Sequence, residues 1–544
     1  MKRIRLFTLA AAVMLAGTLL AACTGGGGAS GQTAGGGSSG QTGNSSGSSS
    51  TAAGEQNTPK PTCATSATIT VEPQYARINN FTSDGVASAQ KEKDGNYILI
   101  DKNGNQVGDA SYPFISKAQP GDVFGYKDDS GNYGLLASDG SVIKEPFASV
   151  LQNFDAEGYA VFYNADYLYG IVKNTGEIVL EPTYTFMYRT NIDEIIWYTN
   201  APWDGEGEVP FAADAKFGML DQNGKVLNEP FANLLGVVDN LSYPYYESDD
   251  VLGAGEFDVS TGIGAWQDAK DGKFGTVNTK GEILSQPFTG MIYQVAKDGS
   301  AMWVSKEAFT KDKPDLLYSL AKPDGTMIKE DFSYNCGSFS KNGFSWYYPD
   351  GFPTAENPNY QIGIIDTAGN VVKEKFSLTA RNWSDNAVTW YRTEVGGKYG
   401  LVGDRGEIIK EPFAAYASVL NFAKDGDRNV SWYQPEEGGP WGLMDDAGNI
   451  VVEPFLQADN NSVATEFNDF GTAWYSPDKD ALLRITERLQ QPNGALYGIV
   501  NDRGKVLMEP FAQKTAAFSA EGVAAFMDKD DAYGVVQLGF EAEK

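Results

Sequence analysis

A thirteen-residue hairpin with fixed landmarks sets what this chain can fold into. It is cleanest between Gly442 and Pro454, where with its flanking aromatics it reads WGLMDDAGNIVVEPF, and Gly442, Gly448 and Pro454 stand six residues apart. The same register starts again at Gly134, Gly170, Gly218, Gly275, Gly400 and Gly498, with weaker copies at Ser319 and Gly363. A further complete unit turns at Gly104 after Tyr97-Ile98 and reaches Tyr112-Pro113-Phe114 after a small insertion. A one-residue slip would turn every side chain of a strand to the opposite face, so a count kept this strictly implies paired strands in fixed register. The arms are short and rich in Ile, Val and Leu, and between them commonly stands Asp/Asn-x-x-Gly, as from Asp221 to Gly224 or Asn501 to Gly504. Such a turn uses the acid or amide to bond the backbone and the glycine to accept positive φ. The proline has no amide to donate and belongs at an edge or end of the ladder.

Ten complete hairpins predict an all-β fold of tandem repeats. Ala67 to Tyr75 (ATITVEPQY) reads as the second half of a unit, and Tyr533-Gly534-Val535-Val536 as a first half. Joined, they make an eleventh unit and close a propeller-like toroid, which removes an exposed strand edge; the alternative is an open β-superhelix with caps. Before many of the Gly landmarks comes an aromatic strand, such as Ile196-Trp197-Tyr198 or Ser431-Trp432-Tyr433, so many units have at least three strands.

Residues 1–22 carry Lys2, Arg3 and Arg5 ahead of a short apolar run, the layout of an export signal. They end in Leu20-Ala21-Ala22-Cys23, which resembles the lipobox of bacterial lipoprotein precursors; that resemblance implies lipidation of Cys23. Removing the signal takes the formal charge from -29 to -32 as three cations leave. So acidic a body is not drawn to nucleic acid or an anionic bilayer, and acyl chains would supply the attachment. Residues 23–64 hold the cysteine and a Gly/Ser/Thr-rich tether without apolar periodicity. Residues 65–540 form the repeat domain. The expected location is the extracytoplasmic side of a bacterial membrane.

With no histidine in the chain, imidazole triads and histidine metal ligation are excluded. Cys23, Cys63 and Cys336 are too few and too scattered for a disulfide framework or a thiolate zinc cluster. Asp101-x-Asn103-x-Asn105 starts like a calcium loop but lacks the sixth-position glycine and the closing glutamate, and its Gly104 aligns with the turn glycines. Acidic groups at Asp425 and Asp427, and at Asp528, Asp530 and Asp531, read as solvated loops. Glycine-rich matches in the tether lack the strand and helix their chemistry needs. No catalytic residue, metal or cofactor is expected. The candidate binding residues are Trp346, Trp390, Trp432 and Trp474, whose rings would stack on a sugar or anchor a peptide if they line a groove, and fill the gaps between sheets if they do not.

The aromatic-Gly, turn-Gly and Pro-aromatic pattern is similar to that of the bacterial WG-repeat proteins, although only Trp441-Gly442 has the name-giving pair. The resemblance covers roughly residues 67–538 and implies a β-rich repeat protein without an assigned catalytic centre. The expected function is a lipid-tethered, non-enzymatic binding module of the cell envelope, with a protein, peptide or envelope glycan as partner. The alternative is an envelope carbohydrate-binding or carbohydrate-processing protein, and a third reading is structural support.

Overall fold

The computed structural model describes residues 63–540 apart from 193, 203–214, 235–251, 269–271, 308–316, 335, 350–360, 378–382, 395, 418–422, 426–427, 457–466 and 478–495. Cys23, the export signal, the tether up to residue 62 and Asp427 lie outside the described residues.

Each repeat becomes one antiparallel blade. The aromatic strand and the two hairpin arms are its second, third and fourth strands, and most blades add a short first strand that the repeat count did not reveal. In chain order the blades occupy residues 77–112, 114–148, 150–184, 186–232, 257–289, 291–333, 336–377, 388–414, 416–456, 472–512 and 514–540. Blades 8 and 10 show three strands among the described residues. The result is an all-β, eleven-bladed propeller.

Closure follows from the two half-units. Ala64–Tyr75 is the fourth strand of blade 11 and pairs antiparallel with Tyr533–Phe540, with Thr68 opposite Gln537 and Val71 opposite Val535. Apolar packing continues across the join. Val71, Tyr75, Val523 and Val535 of blade 11 share a buried cluster with Ala87, Ile98 and Ile100 of blade 1. On its other side, Val536 and Phe526 pack with Trp474 and Ile499 of blade 10. The toroid holds, and the open superhelix does not.

The turn glycines sit where the spacing put them. All ten, from Gly104 to Gly504, have φ between 78° and 86°. Each donates its amide to the carbonyl three residues back, as Gly448 does to Asp445 at 3.1 Å. The acid or amide at the turn's start accepts backbone amides, as Asp366 does from Ala368 and Asn370. Asp101 does the same for Asn103 and Asn105, so the calcium-like stretch is a hairpin turn.

The proline lies inside the fourth strand, which is the edge of its sheet. Trp441 opposes Leu456 and Leu443 opposes Val452, so the single residue Gly442 of the third strand faces the three-residue bulged run Glu453-Pro454-Phe455. A bulge is where a residue without an amide proton costs least.

Candidate functional face

The four candidate tryptophans lie between blades, not in a groove. Trp346, Trp390, Trp432 and Trp474 are 0, 1, 3 and 7% exposed. Each belongs to the second strand of its blade. Trp432 packs on Phe455 of its own fourth strand at 6.0 Å and on Phe467, in the segment leading into the next blade, at 5.4 Å. Trp474 repeats this with Phe511 and Phe518, and Trp346 stacks on Trp383 at 4.7 Å with planes 8° apart. Trp390 Nε1 donates to Ser431 Oγ of the following blade at 3.0 Å. A ring enclosed in this way has no face left for a ligand, and the core-filling alternative describes these residues.

The next residue along the second strand points to the opposite side. Tyr433 lies over Gly442, and Tyr475 over Gly498; Tyr198 and Tyr391 lie over Gly218 and Gly400. A Cβ on Gly442 would stand 2.7 Å from the Val452 carbonyl oxygen and 2.9 Å from the Tyr433 ring. Beside these phenols stand the glutamates that precede proline. Tyr198 and Tyr475 donate to Glu229 and Glu509 at 3.4 and 3.3 Å, long for such bonds. Burial, then the Glu145 and Glu229 carboxylates, push the phenols of Tyr126 and Tyr198 up to about 12. A pair that recurs from blade to blade belongs to the scaffold; nothing singles out one copy as a reacting centre.

Antiparallel order brings the first-to-second and third-to-fourth connections to one end of every blade, and the second-to-third and blade-to-blade connections to the other. The first end is a turn face. Its turns bond across blades: Ser138 to Asp84 at 2.6 Å, Gln222 to Glu157 at 2.5 Å, Ser340 to Asp404 at 2.6 Å and Ser384 to Asp446 at 3.1 Å. Arg189 of blade 4 pairs with the buried Asp155 of blade 3 at 3.0 Å. The belt crosses the closure as well. Lys102 meets Glu521 at 2.9 Å, and Cys63 Sγ donates to Asp502 at 3.0 Å. Cys63 therefore enters the ring on the turn face.

The opposite end is a connection face. The long excursions 200–216, 306–317, 348–361 and 476–496 all join a second strand to a third, and 233–256 joins blade 4 to blade 5. Every one leaves from this face. Their bases are pinned: Thr199 donates to the Lys216 carbonyl at 2.9 Å, and Ser476 to that of Leu496 at 2.8 Å. Insertions of this kind do not disturb the blades because they begin and end outside the ladder.

Other chemistry is sparse. Among the described residues no group of three or more Cys, Asp or Glu is arranged to hold a metal ion. Asp528 caps a turn through the amides of Asp530 and Ala532. Cys63 and Cys336 are free of disulfides. A cavity of about 30 Å³ between blades 2 and 3, lined by Ser116, Gln119, Gln152 and Phe154 among others, has room for about one water and none for an organic ligand.

No protein-family model matches the chain, and no curated protein does. Solved structures with a similar course include a eukaryotic initiation factor, with 9% identity over 72% of this chain and 96% of that one and a TM-score of 0.39. BamB from Moraxella catarrhalis is 13% identical over 54% and 80% of the two chains, with a TM-score of 0.23. Virginiamycin B lyase from Staphylococcus aureus is 13% identical over 60% and 89%, with a TM-score of 0.19. Scores this low carry nothing about function, and the propeller rests on this chain's own strand pairing.

Proposed function

We propose that the protein is a lipid-tethered, non-enzymatic binding module of the bacterial cell envelope, which meets its partner with the connection face. The observation that supports this reading is the asymmetry of the ring. One face is built mainly of short turns hydrogen-bonded into a belt, with one longer connection in blade 9 (418–427, which holds Ala423–Asp425), and the five long excursions named above leave from the other. Binding surfaces concentrate on connections that a rigid scaffold holds in position. The tether would reach the ring beside Cys63 and Asp502, on the turn face. With Cys23 acylated in the membrane, the connection face would then be turned outward.

Photo-cross-linking residues introduced at Lys398 and Glu437 on the connection face, and at Asn103 and Lys341 on the turn face, test the reading in cells producing the full chain. Cross-links to an envelope protein or polymer are expected from the first pair. Cross-links confined to the second pair would overturn it. Mass spectrometry of the same membrane fraction should find diacylglycerol on Cys23 as the first residue; recovery of only an unmodified chain still starting at Met1 would remove the tether from the account.

A further inference from the structure

The closing sheet of blade 11 is longer than the hairpin it stands in for. Phe540 lies six residues after Gly534, at the place where Gly448 turns the chain after Gly442. Here the ladder continues. Three further pairs, Ala67 with Leu538, Ser66 with Gly539 and Ala64 with Phe540, carry it past the level at which the other ten blades turn. The third and fourth strands reach eight and twelve residues, where those of blade 9 have five and seven.

This extension is locked to blade 10. The Ala64 amide donates to the Phe470 carbonyl at 3.1 Å, and Asn501 Nδ2 donates to the Ala64 carbonyl at 3.1 Å. Lys505 Nζ donates to the Thr65 carbonyl at 2.7 Å, and the Phe540 ring lies 5.3 Å from that of Phe470. Ala64 and Leu538 are buried with Trp474 and Ile499. Closing the ring does not call for these contacts. Tyr75 with Tyr533, Val71 with Val535 and Ile69 with Val536 already repeat the pairing of the blade 9 hairpin.

We propose that the extension is a force clamp, which takes load from the membrane tether along the closing strand and keeps it from opening the ring. The inference rests on the lipid-tethered reading and adds how the ring withstands tension between a membrane and a partner on the connection face. The chain enters at Cys63 on the turn face, and Ala64–Tyr75 runs from there to the connection face. Hydrogen bonds of an antiparallel pair lie across the strands, so a pull along the closing strand loads its pairs together. Drawing residues 64 and 540 apart would instead load one pair at a time. Forced unfolding follows the unfolding rate and not equilibrium stability, so bonds added where the load enters matter beyond their share of the fold's stability.

Optical tweezers on the chain from residue 23 onward, with Cys23→Ser, test the clamp. Axial tension, between residue 23 and a clickable residue at Lys398, should open the ring at a higher force than tension between residue 23 and Lys544, which peels Ala64 from Phe540. Ala64→Asp, which puts a charge into the buried lock, should lower the axial force. Lys505→Ala, a surface change that leaves the blades folded, should lower it by a smaller step. An axial force no higher than the peeling force, or one that neither variant moves, overturns the clamp. Such a result with diacylglycerol present on Cys23 would remove the clamp and leave the tether; an unmodified chain still starting at Met1 would remove the load itself.

Discussion

Gly442 is required by what lies across the strand from it. Its backbone is extended enough for any residue, yet a side chain there would meet both the Tyr433 ring and the Val452 carbonyl. The pairing is reciprocal across the ring. The two blades that lack this glycine also lack the aromatic: Ile98 faces Ala89, and Ser319 faces Val304. In blade 6 the proline changes too. Asp331 stands in its place, and its amide, which proline would not have, donates to Ser319 Oγ at 2.8 Å. The glycine was legible in the sequence from its spacing, but its partner was not, because connections of very different length separate Tyr433 from Gly442 and Tyr475 from Gly498. Gly442→Ser should destabilise the protein by roughly 1–3 kcal/mol, the range for overpacking. In a Tyr433→Val background the cost should shrink, giving a double-mutant coupling of at least about 0.5 kcal/mol; strictly additive energies in denaturant would contradict the contact. The same tyrosine position sets an alkaline limit. Folded phenols at Tyr126 and Tyr198 are raised by burial and by Glu145 and Glu229, while unfolded ones ionise near 10. A raised folded value stabilises the fold fully below the unfolded value and is lost as pH rises through the folded one. Denaturation midpoints should therefore hold up to about pH 10 and fall toward about pH 12, with phenolate absorbance lagging that of the unfolded chain. A midpoint level across that window would show the phenols to be solvated.

Within a blade, the tryptophan strand explains why sequence could not separate groove from core. A strand between two neighbouring blades is covered on both faces, so it reads as a continuous apolar run with no alternation to reveal a free side. Trp432 and Tyr433 point to opposite neighbours, and both are interior. The first strand escaped notice for another reason. It is often only two residues long, as at Phe114–Ile115, which leaves no period to read. Its turn did leave a trace that the fixed hairpin overshadowed: Phe339-Ser340-Lys341-Asn342-Gly343 and Phe518-Ser519-Ala520-Glu521-Gly522 share an aromatic four residues before a glycine. Gly343 and Gly522 have φ of 81° and 72°. Blade 8 has Ala387 at that place, with φ of 63°. Ala387→Gly should raise stability by about 0.5–1 kcal/mol by removing the left-handed penalty, less the entropy glycine loses. Gly448→Val, at a φ of 86°, should cost roughly 1–3 kcal/mol. Equilibrium denaturation checks both, and a pair of shifts with the same sign would contradict the backbone assignment of one turn.

At the scale of the whole molecule, eleven blades exceed the four to eight typical of propellers, and the ring depends on fastening its last sheet with its first strand. The half-units at the two ends made that closure legible in the sequence; the belt of turn-face bonds was not, because its members differ from blade to blade, from Ser138 to Gln222 to Asp446. An apolar interface on both sides of blade 11 and the Lys102–Glu521 pair then hold a join that spans nearly the whole chain. Pairing of Thr68 with Gln537 tests this most directly. Opposed residues in an antiparallel pair stand about 4.5–5.5 Å apart at Cα, within disulfide reach. A soluble form beginning after Cys23, with Thr68→Cys, Gln537→Cys and serine at Cys63 and Cys336, should oxidise readily to one intramolecular disulfide and unfold at a higher denaturant concentration than its reduced form. Two thiols that stay open to maleimide under the same oxidant, in a protein that is otherwise folded, would mean that the ring is not closed.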